Sequence, residues 1–195
     1  MRIIGGRLAG RRFDAPSGRG TRPTSDRVRE ALGSALNSRS AFEGAQVLDL
    51  FAGTGALGFE ALSRGASDAV LVDSDPGAVH QIKQSAKKLG LGEQVRVVCL
   101  DLLGDPASVV RELPQVAQGF DLVFADAPYS EVDSVPAILD ALAGAGRLAA
   151  GAWLVIEHPA GHDWRWPIGL ASEAVYRYGQ TGISLGTYAA EKGKQ

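Results

Sequence analysis

A chain of 195 residues and 20.4 kDa, with 45% hydrophobic and 22% charged side chains, has an ordinary globular composition and can bury about 70% of its unfolded surface in one core. A single cysteine, Cys99, excludes an internal disulfide, the scattered His80, His158 and His162 exclude a structural zinc set, and no run reaches the ~18 apolar residues of a membrane span. The net charge of −2 hides an asymmetry, because residues 1–39 hold nine arginines against three acids while the other 156 residues hold 11 basic and 19 acidic groups.

A basic arm on an acidic body suits a polyanion such as nucleic acid; the plainer reading is a solvated tail in a chain that uses 15 Arg to 5 Lys. The opening Met1-Arg2-Ile3-Ile4-Gly5-Gly6 lacks the apolar run of a signal peptide, so a cytoplasmic protein without membrane or metal partners is expected. Residues 5–23, rich in Gly, Arg and Pro, read as an irregular or hairpin-like arm. Thr24 or Ser25 then caps a helix whose Val28, Leu32, Ala35 and Leu36 form one apolar stripe, with Arg27 and Glu30 mostly facing away.

From Gln46 strands and helices alternate. Val47–Phe51 reads as a buried strand, Leu57–Arg64 as a helix closed by Gly65, and Ala69–Val72 as a second strand. Asp75 and Pro76 open a helix with Val79, Ile82, Ala86 and Leu89 on one face and Gly90 as its stop. Val95–Leu100 is a third strand carrying Cys99 as a small buried apolar residue. Asp105-Pro106 starts a short helix ended by Pro114, Phe120–Ala125 is a fourth strand, Val135–Ala143 a helix and Trp153–Ile156 a fifth strand. Ala174–Tyr178 and Ile183–Tyr188 flank Gly179-Gln180-Thr181-Gly182 as an antiparallel hairpin. The expected fold is α/β: a mostly parallel sheet with helices on both faces and a C-terminal antiparallel hairpin adding edge strands.

Gly53-Thr54-Gly55-Ala56-Leu57-Gly58 is a full GxGxxG between a strand and a helix, where glycines let a ligand approach the backbone and the helix N-terminus. Twenty residues on, Asp73 ends the second strand, where a carboxylate can accept both hydroxyls of a ribose. An adenosine-containing cofactor follows; the plainer alternative is a glycine turn used only for packing. Asp49, four residues before Gly53, would repel a pyrophosphate but suits the ammonium of a methionine moiety, so S-adenosylmethionine fits better than NAD. Asp101 can accept from the adenine amino group, or is a solvated loop acid. Asp126-Ala127-Pro128-Tyr129 follows the fourth strand, which should lie beside the first. There Asp126 and the Ala127 carbonyl can accept from an exocyclic amine and Tyr129 can stack on a base. By itself the tetrapeptide is a plain strand-to-turn junction; opposite the cofactor loop it becomes a target site.

Asp126-Ala127-Pro128-Tyr129 resembles the (Asn/Asp/Ser)-Pro-Pro-(Tyr/Phe) motif of methyltransferases that act on amino groups of bases or glutamine. Arg2–Gly6, Arg22–Leu32, Val47–Gly55 and Glu60–Ala66 together resemble the bacterial 16S rRNA guanine-N2 methyltransferases that modify position 966, over nearly the whole chain. That resemblance implies a Rossmann-like class I methyltransferase. Residues 1–39 would be an RNA-docking arm and helix, and residues 40–195 the catalytic domain. It implies a cofactor pocket from Asp49, Gly53, Gly55, Asp73 and Asp101, and a target-base site at Asp126, Ala127, Pro128 and Tyr129. Its partner would be 16S rRNA or a small-subunit particle, met by Arg11, Arg12, Arg22, Arg27 and Arg29, with the enzyme a monomer. The chain departs from the family at Ala127, where proline is usual, and at Gly33, where an aromatic is usual; Gly33 carries an expected helix cost of about 1 kcal/mol relative to Ala. The same chemistry on adenine or cytosine in DNA or on protein glutamine stays open. So do a nicotinamide-dependent oxidoreductase, disfavoured by Asp49 and the lack of a Tyr-x-x-x-Lys pair, and a non-catalytic RNA-binding protein.

Overall fold

The computed structural model describes residues 1–14 and 26–189. Five strands follow the expected order: β1 (Gln46–Leu50), β2 (Asp68–Asp73), β3 (Val95–Cys99), β4 (Phe120–Ala125) and β5 (Leu148–Pro159). They pair in parallel as β3-β2-β1-β4-β5. The C-terminal hairpin, β6 (Leu170–Tyr178) and β7 (Thr181–Tyr188), completes a seven-stranded sheet in the order β3-β2-β1-β4-β5-β7-β6.

Helices cover both faces. On one lie α1 (Asp26–Asn37), α2 (Ala56–Arg64) and α3 (Pro76–Leu89), sharing a core of Leu36, Phe59, Leu62 and Ile82 with the sheet residues Leu71 and Phe124. On the other lie α4 (Pro106–Glu112) and α5 (Val135–Gly144), packed through Val109, Ile138 and Leu139 on Leu48, Val123 and Ile156. The two cores follow from strand alternation, since neighbouring residues of one strand face opposite layers.

The capping expected for α3 is present: the Asp75 carboxylate accepts the Gly77 N–H at 2.9 Å, Pro76 takes the first turn, and Gly90 exits left-handed at φ 76°. Asp105 caps α4 in the same way through the Ser108 N–H at 2.9 Å. Thr24 and Ser25, expected to cap α1, lie outside the described residues.

Three local expectations are corrected. Cys99 is exposed, at the end of the edge strand β3. Strand β5 runs 12 residues instead of four; Ala149-Ala150-Gly151 gives no β signal, and Glu157-His158-Pro159 reads as polar loop until its pairing with Thr181–Ile183 is seen. The hairpin adds one edge strand, not two: β7 inserts between β5 and β6 and is largely buried.

The arm, as far as it is described, folds back on itself. Ile3 N donates to the Arg11 carbonyl (3.0 Å) and Phe13 N to the Met1 carbonyl (3.1 Å), and a 3-10 turn spans Gly6–Leu8. Ile3, Leu8 and Phe13 are buried in the α1/α2/α3 core, Phe13 edge-on to Phe59 at 5.2 Å. Helix α2 holds the arm's backbone: Glu60 accepts the N–H groups of Ile4 (2.9 Å) and Gly5 (2.7 Å), and Ser63 accepts that of Leu8 (2.9 Å). Gly33 now has a reason. A Cβ there would lie 2.5 Å from Arg64 Cζ, so the glycine leaves room for the guanidinium that Glu60 holds at 2.8 Å.

Candidate functional site

In an open parallel sheet, ligands sit beyond the carboxyl ends of the strands where the chain order reverses, here between β1 and β4. A cavity of about 790 Å³ opens there, within the usual range for small-molecule sites.

Its floor comes from β1. Phe51, Gly53 and Gly55 all have positive φ, 59°, 54° and 76°. For a phenylalanine that region is costly, by about 1–3 kcal/mol, and the surroundings must enforce it: Ala52 N is drawn 2.8 Å to the Val72 carbonyl of β2. Gly55 is the cap of α2, and a Cβ there would crowd Phe59 at 2.9 Å and Leu71 at 3.0 Å.

Asp73 ends β2 on the cavity wall. One carboxylate oxygen accepts the Gly53 N–H (2.7 Å) and the other the Asp75 N–H (2.9 Å), which clamps the glycine loop to β2. Each oxygen retains a second lone pair for a hydroxyl donor. Asp101 lines the same cavity beyond β3, exposed, with one oxygen fixed by the Leu103 N–H at 2.9 Å.

Asp49 reaches the cavity wall but is only 1% exposed, and its Oδ2 accepts the Gly58 N–H of α2 at 2.9 Å. Burial pushes its carboxyl up to about 7, against the opposing pull of that N–H and with a further push from the charge of Asp73. It braces the first turn of α2 as well as facing the pocket.

Across the cavity, Asp126, Ala127, Pro128 and Tyr129 leave β4 together. Ala127 is buried, Asp126 half-buried, and Tyr129 is 46% exposed with its hydroxyl 3.0 Å from Thr181 Oγ1 at the start of β7. Of the residues expected from sequence, Asp49, Gly53, Asp73, Asp101 and Asp126–Tyr129 line one space, whereas Gly55 caps α2 and does not line it.

The arginines divide. Arg12 and Arg27 are exposed. Arg11 is engaged at the end of α3, donating to the carbonyls of Leu89 (2.9 Å) and Lys88 (3.0 Å). Arg29 is 1% exposed, donating to Asp26 (2.6 Å) and the Arg2 carbonyl (3.0 Å), and so has no surface to offer a phosphate in this structure. Arg22 lies outside the described residues.

Sequence reasoning missed the fourth wall: Glu157 from β5 and Tyr178, Gln180 and Thr181 from the β6–β7 turn. Glu157 had a readable signal, since it follows the apolar run 153–156 as Asp126 follows 120–125. The turn residues had none, because only sheet pairing brings them here.

Among the described residues no helix is long and apolar enough to cross a membrane, and no cluster of three or more metal-ligating side chains occurs. The family described as "Conserved hypothetical protein 95" matches residues 1–186. The Bacillus subtilis protein named "Putative rRNA methyltransferase YlbH" is 33% identical over 95% of this chain and 97% of its own. The Escherichia coli "Ribosomal RNA small subunit methyltransferase D" is 40% identical over 66% of this chain, a match that spans 60% of that relative's length. Among solved structures, "Putative methyltransferase yhhF" from Escherichia coli superposes with a TM-score of 0.82 at 31% identity, covering 98% of this chain and 99% of that one. An RNA methyltransferase from Salinibacter ruber in complex with S-adenosyl-L-homocysteine shares the fold at a TM-score of 0.62 and 18% identity, over 89% of this chain and 97% of that one. The fold is that of the Rossmann-like methyltransferases.

Proposed function

The chain belongs to the Conserved hypothetical protein 95 family, and from that membership we propose that it methylates ribosomal RNA with S-adenosylmethionine, at the exocyclic N2 of a guanine in 16S rRNA of the small subunit. The coarser reading, an S-adenosylmethionine-dependent rRNA methyltransferase, is supported by the names of the relatives and the shared fold. The observation that carries the proposal is the single cavity lined by both Asp73 and Asp101 on one side and Asp126–Tyr129 on the other.

The cavity fits the cofactor in volume and in donors and acceptors. Asp73 receives the ribose hydroxyls, the glycine loop lets the cofactor lie against the backbone, and Asp101 accepts from the adenine amine. The cofactor supplies a methyl group on a cationic sulfur. Asp126 and the Ala127 carbonyl each accept one N2–H, which turns the N2 lone pair toward that methyl, while Tyr129 stacks on the base turned out of its helix. The bound cofactor would supply its methyl to that lone pair, the new C–N bond replacing the methyl–sulfur bond, whose electrons would stay on sulfur. N2 then gives a proton to water or a carboxylate. Orientation and electrostatics supply most of the rate, and no strong base is needed. Arg12 and Arg27 dock the RNA through its phosphates, and the protein acts as a monomer.

The test is transfer of labelled methyl to small-subunit RNA and particles from cells lacking this protein, followed by nucleoside analysis. Labelled 2-methylguanosine is expected; labelled N6-methyladenosine, or no transfer to either substrate, would contradict the proposal.

A further inference from the structure

Strands β4 and β5 run parallel with Phe124 opposite Val155 and Ala125 opposite Ile156. One residue further on, just past the end of β4, the same register brings Asp126 beside Glu157. Alternation puts the two on one side of the sheet: Ala125 and Ile156 belong to the α4/α5 core, whereas Phe124 and Val155 belong to the α1/α2/α3 core, two residues before Asp126 and Glu157. Both acids are half-buried and both line the cavity. Glu157 is also fixed from its other flank, paired with Ile183 of β7, so it rides on a rigid interior strand.

Two carboxylates side by side match one base edge in particular. Guanine presents N1–H directly beside its N2 amine, two adjacent donors. Adenine and cytosine present an amine beside a ring nitrogen that carries a lone pair. A carboxylate facing that lone pair has no proton to share and loses its hydration without return.

We propose that Glu157 is a specificity-determining residue that accepts the N1–H of the target base while Asp126 accepts from the N2 amine, so that this pair of acids selects guanine over adenine and cytosine. The inference rests on the reading of the cavity as the target-base site and adds the rule by which it chooses its base. Ala127 and Tyr129 cannot supply that rule, since a carbonyl accepts from any exocyclic amine and a ring stacks on any base.

The test uses 2-aminopurine, which keeps the 2-amine but carries a lone pair at N1 and has no oxygen at C6. Small-subunit RNA is assembled with guanine or 2-aminopurine at the position the wild-type protein methylates. Single-turnover rates are then compared for wild type, Glu157→Gln and Glu157→Ala. Wild type should favour guanine by about 10- to 100-fold, the range for a hydrogen bond to a charged group. Glu157→Gln, whose amide can turn an N–H toward the lone pair, should bring the ratio to within a few-fold, and S-adenosylhomocysteine affinity should hold within about twofold. Glu157→Ala should lose the preference by slowing the guanine substrate. A variant that slows both substrates equally and keeps the ratio would make Glu157 structural and overturn the inference. So would a wild-type protein indifferent to the exchange, a result that needs no variant to fold. A wild-type product other than 2-methylguanosine would overturn the functional reading as well, whereas 2-methylguanosine with an unchanged ratio overturns this inference alone.

Discussion

Asp49 pairs a buried carboxyl with a single backbone donor, and its value of about 7 sits well above the ordinary 3.8. An acid raised in the folded state stabilises the fold while protonated. That contribution is complete below the unfolded value near 4 and is lost as the pH climbs through 7. Asn keeps an acceptor for the Gly58 N–H and cannot ionise. Thermal melts from pH 5 to 9 should therefore show Asp49→Asn gaining on wild type as pH rises, with the difference levelling off above about 8; a pH-independent difference would contradict the burial argument. Tyr129 makes the second case. Its ring is the proposed stacking platform and its hydroxyl is tied to Thr181 at 3.0 Å. Tyr129→Phe should cost about 0.5–1.5 kcal/mol in RNA affinity and leave cofactor affinity alone. Thr181→Val should match it, and the double variant should be no worse than either single one, since all remove the same bond. Additive losses in filter binding would separate the two residues.

At the scale of elements, the contact between the arm and α2 decides how the first 14 residues behave. Glu60, 3% exposed, accepts two arm N–H groups, pairs with Arg64 at 2.8 Å and lies 3.9 Å from the buried Arg29. Glu60→Ala removes the carboxylate that faces two sequestered guanidinium groups and should destabilise the protein by about 3–5 kcal/mol in urea unfolding. A loss under 1 kcal/mol would mean that the arm is held mainly by Ile3, Leu8 and Phe13. Those three residues also explain why charge is an incomplete guide. Nine arginines suggested either a polyanion-docking arm or a solvated tail, but Ile3, Leu8 and Phe13 carry the first 14 residues into the core, and Arg11 and Arg29 are drawn into protein contacts. The strands of the parallel half were legible because each is a short apolar run bounded by glycine, proline or aspartate. Strand β5 was half legible, because the pairing that makes Glu157-His158-Pro159 a strand is with residues 22 or more positions away.

For the whole molecule, the glycine loop, Asp73 and Asp126–Tyr129 could be assigned to one site from sequence, since an alternating strand–helix order fixes which loops share the carboxyl edge of the sheet. The antiparallel end could not. Insertion of β7 between β5 and β6 carries Thr181, Gln180 and Tyr178 over the cavity mouth, and no local pattern encodes that placement. The result is a cavity whose proposed cofactor side is built by β1, β2 and β3 and whose proposed base side is built by β4, β5 and the hairpin turn. Its two sides should be separable by substitution. The most direct measurement is single-turnover formation of labelled 2-methylguanosine by Asp126→Ala on small-subunit particles, with S-adenosylhomocysteine affinity measured by calorimetry on the same protein. Methyl transfer should be lost with cofactor affinity close to wild type; transfer within a few-fold of wild type would contradict the role proposed for Asp126.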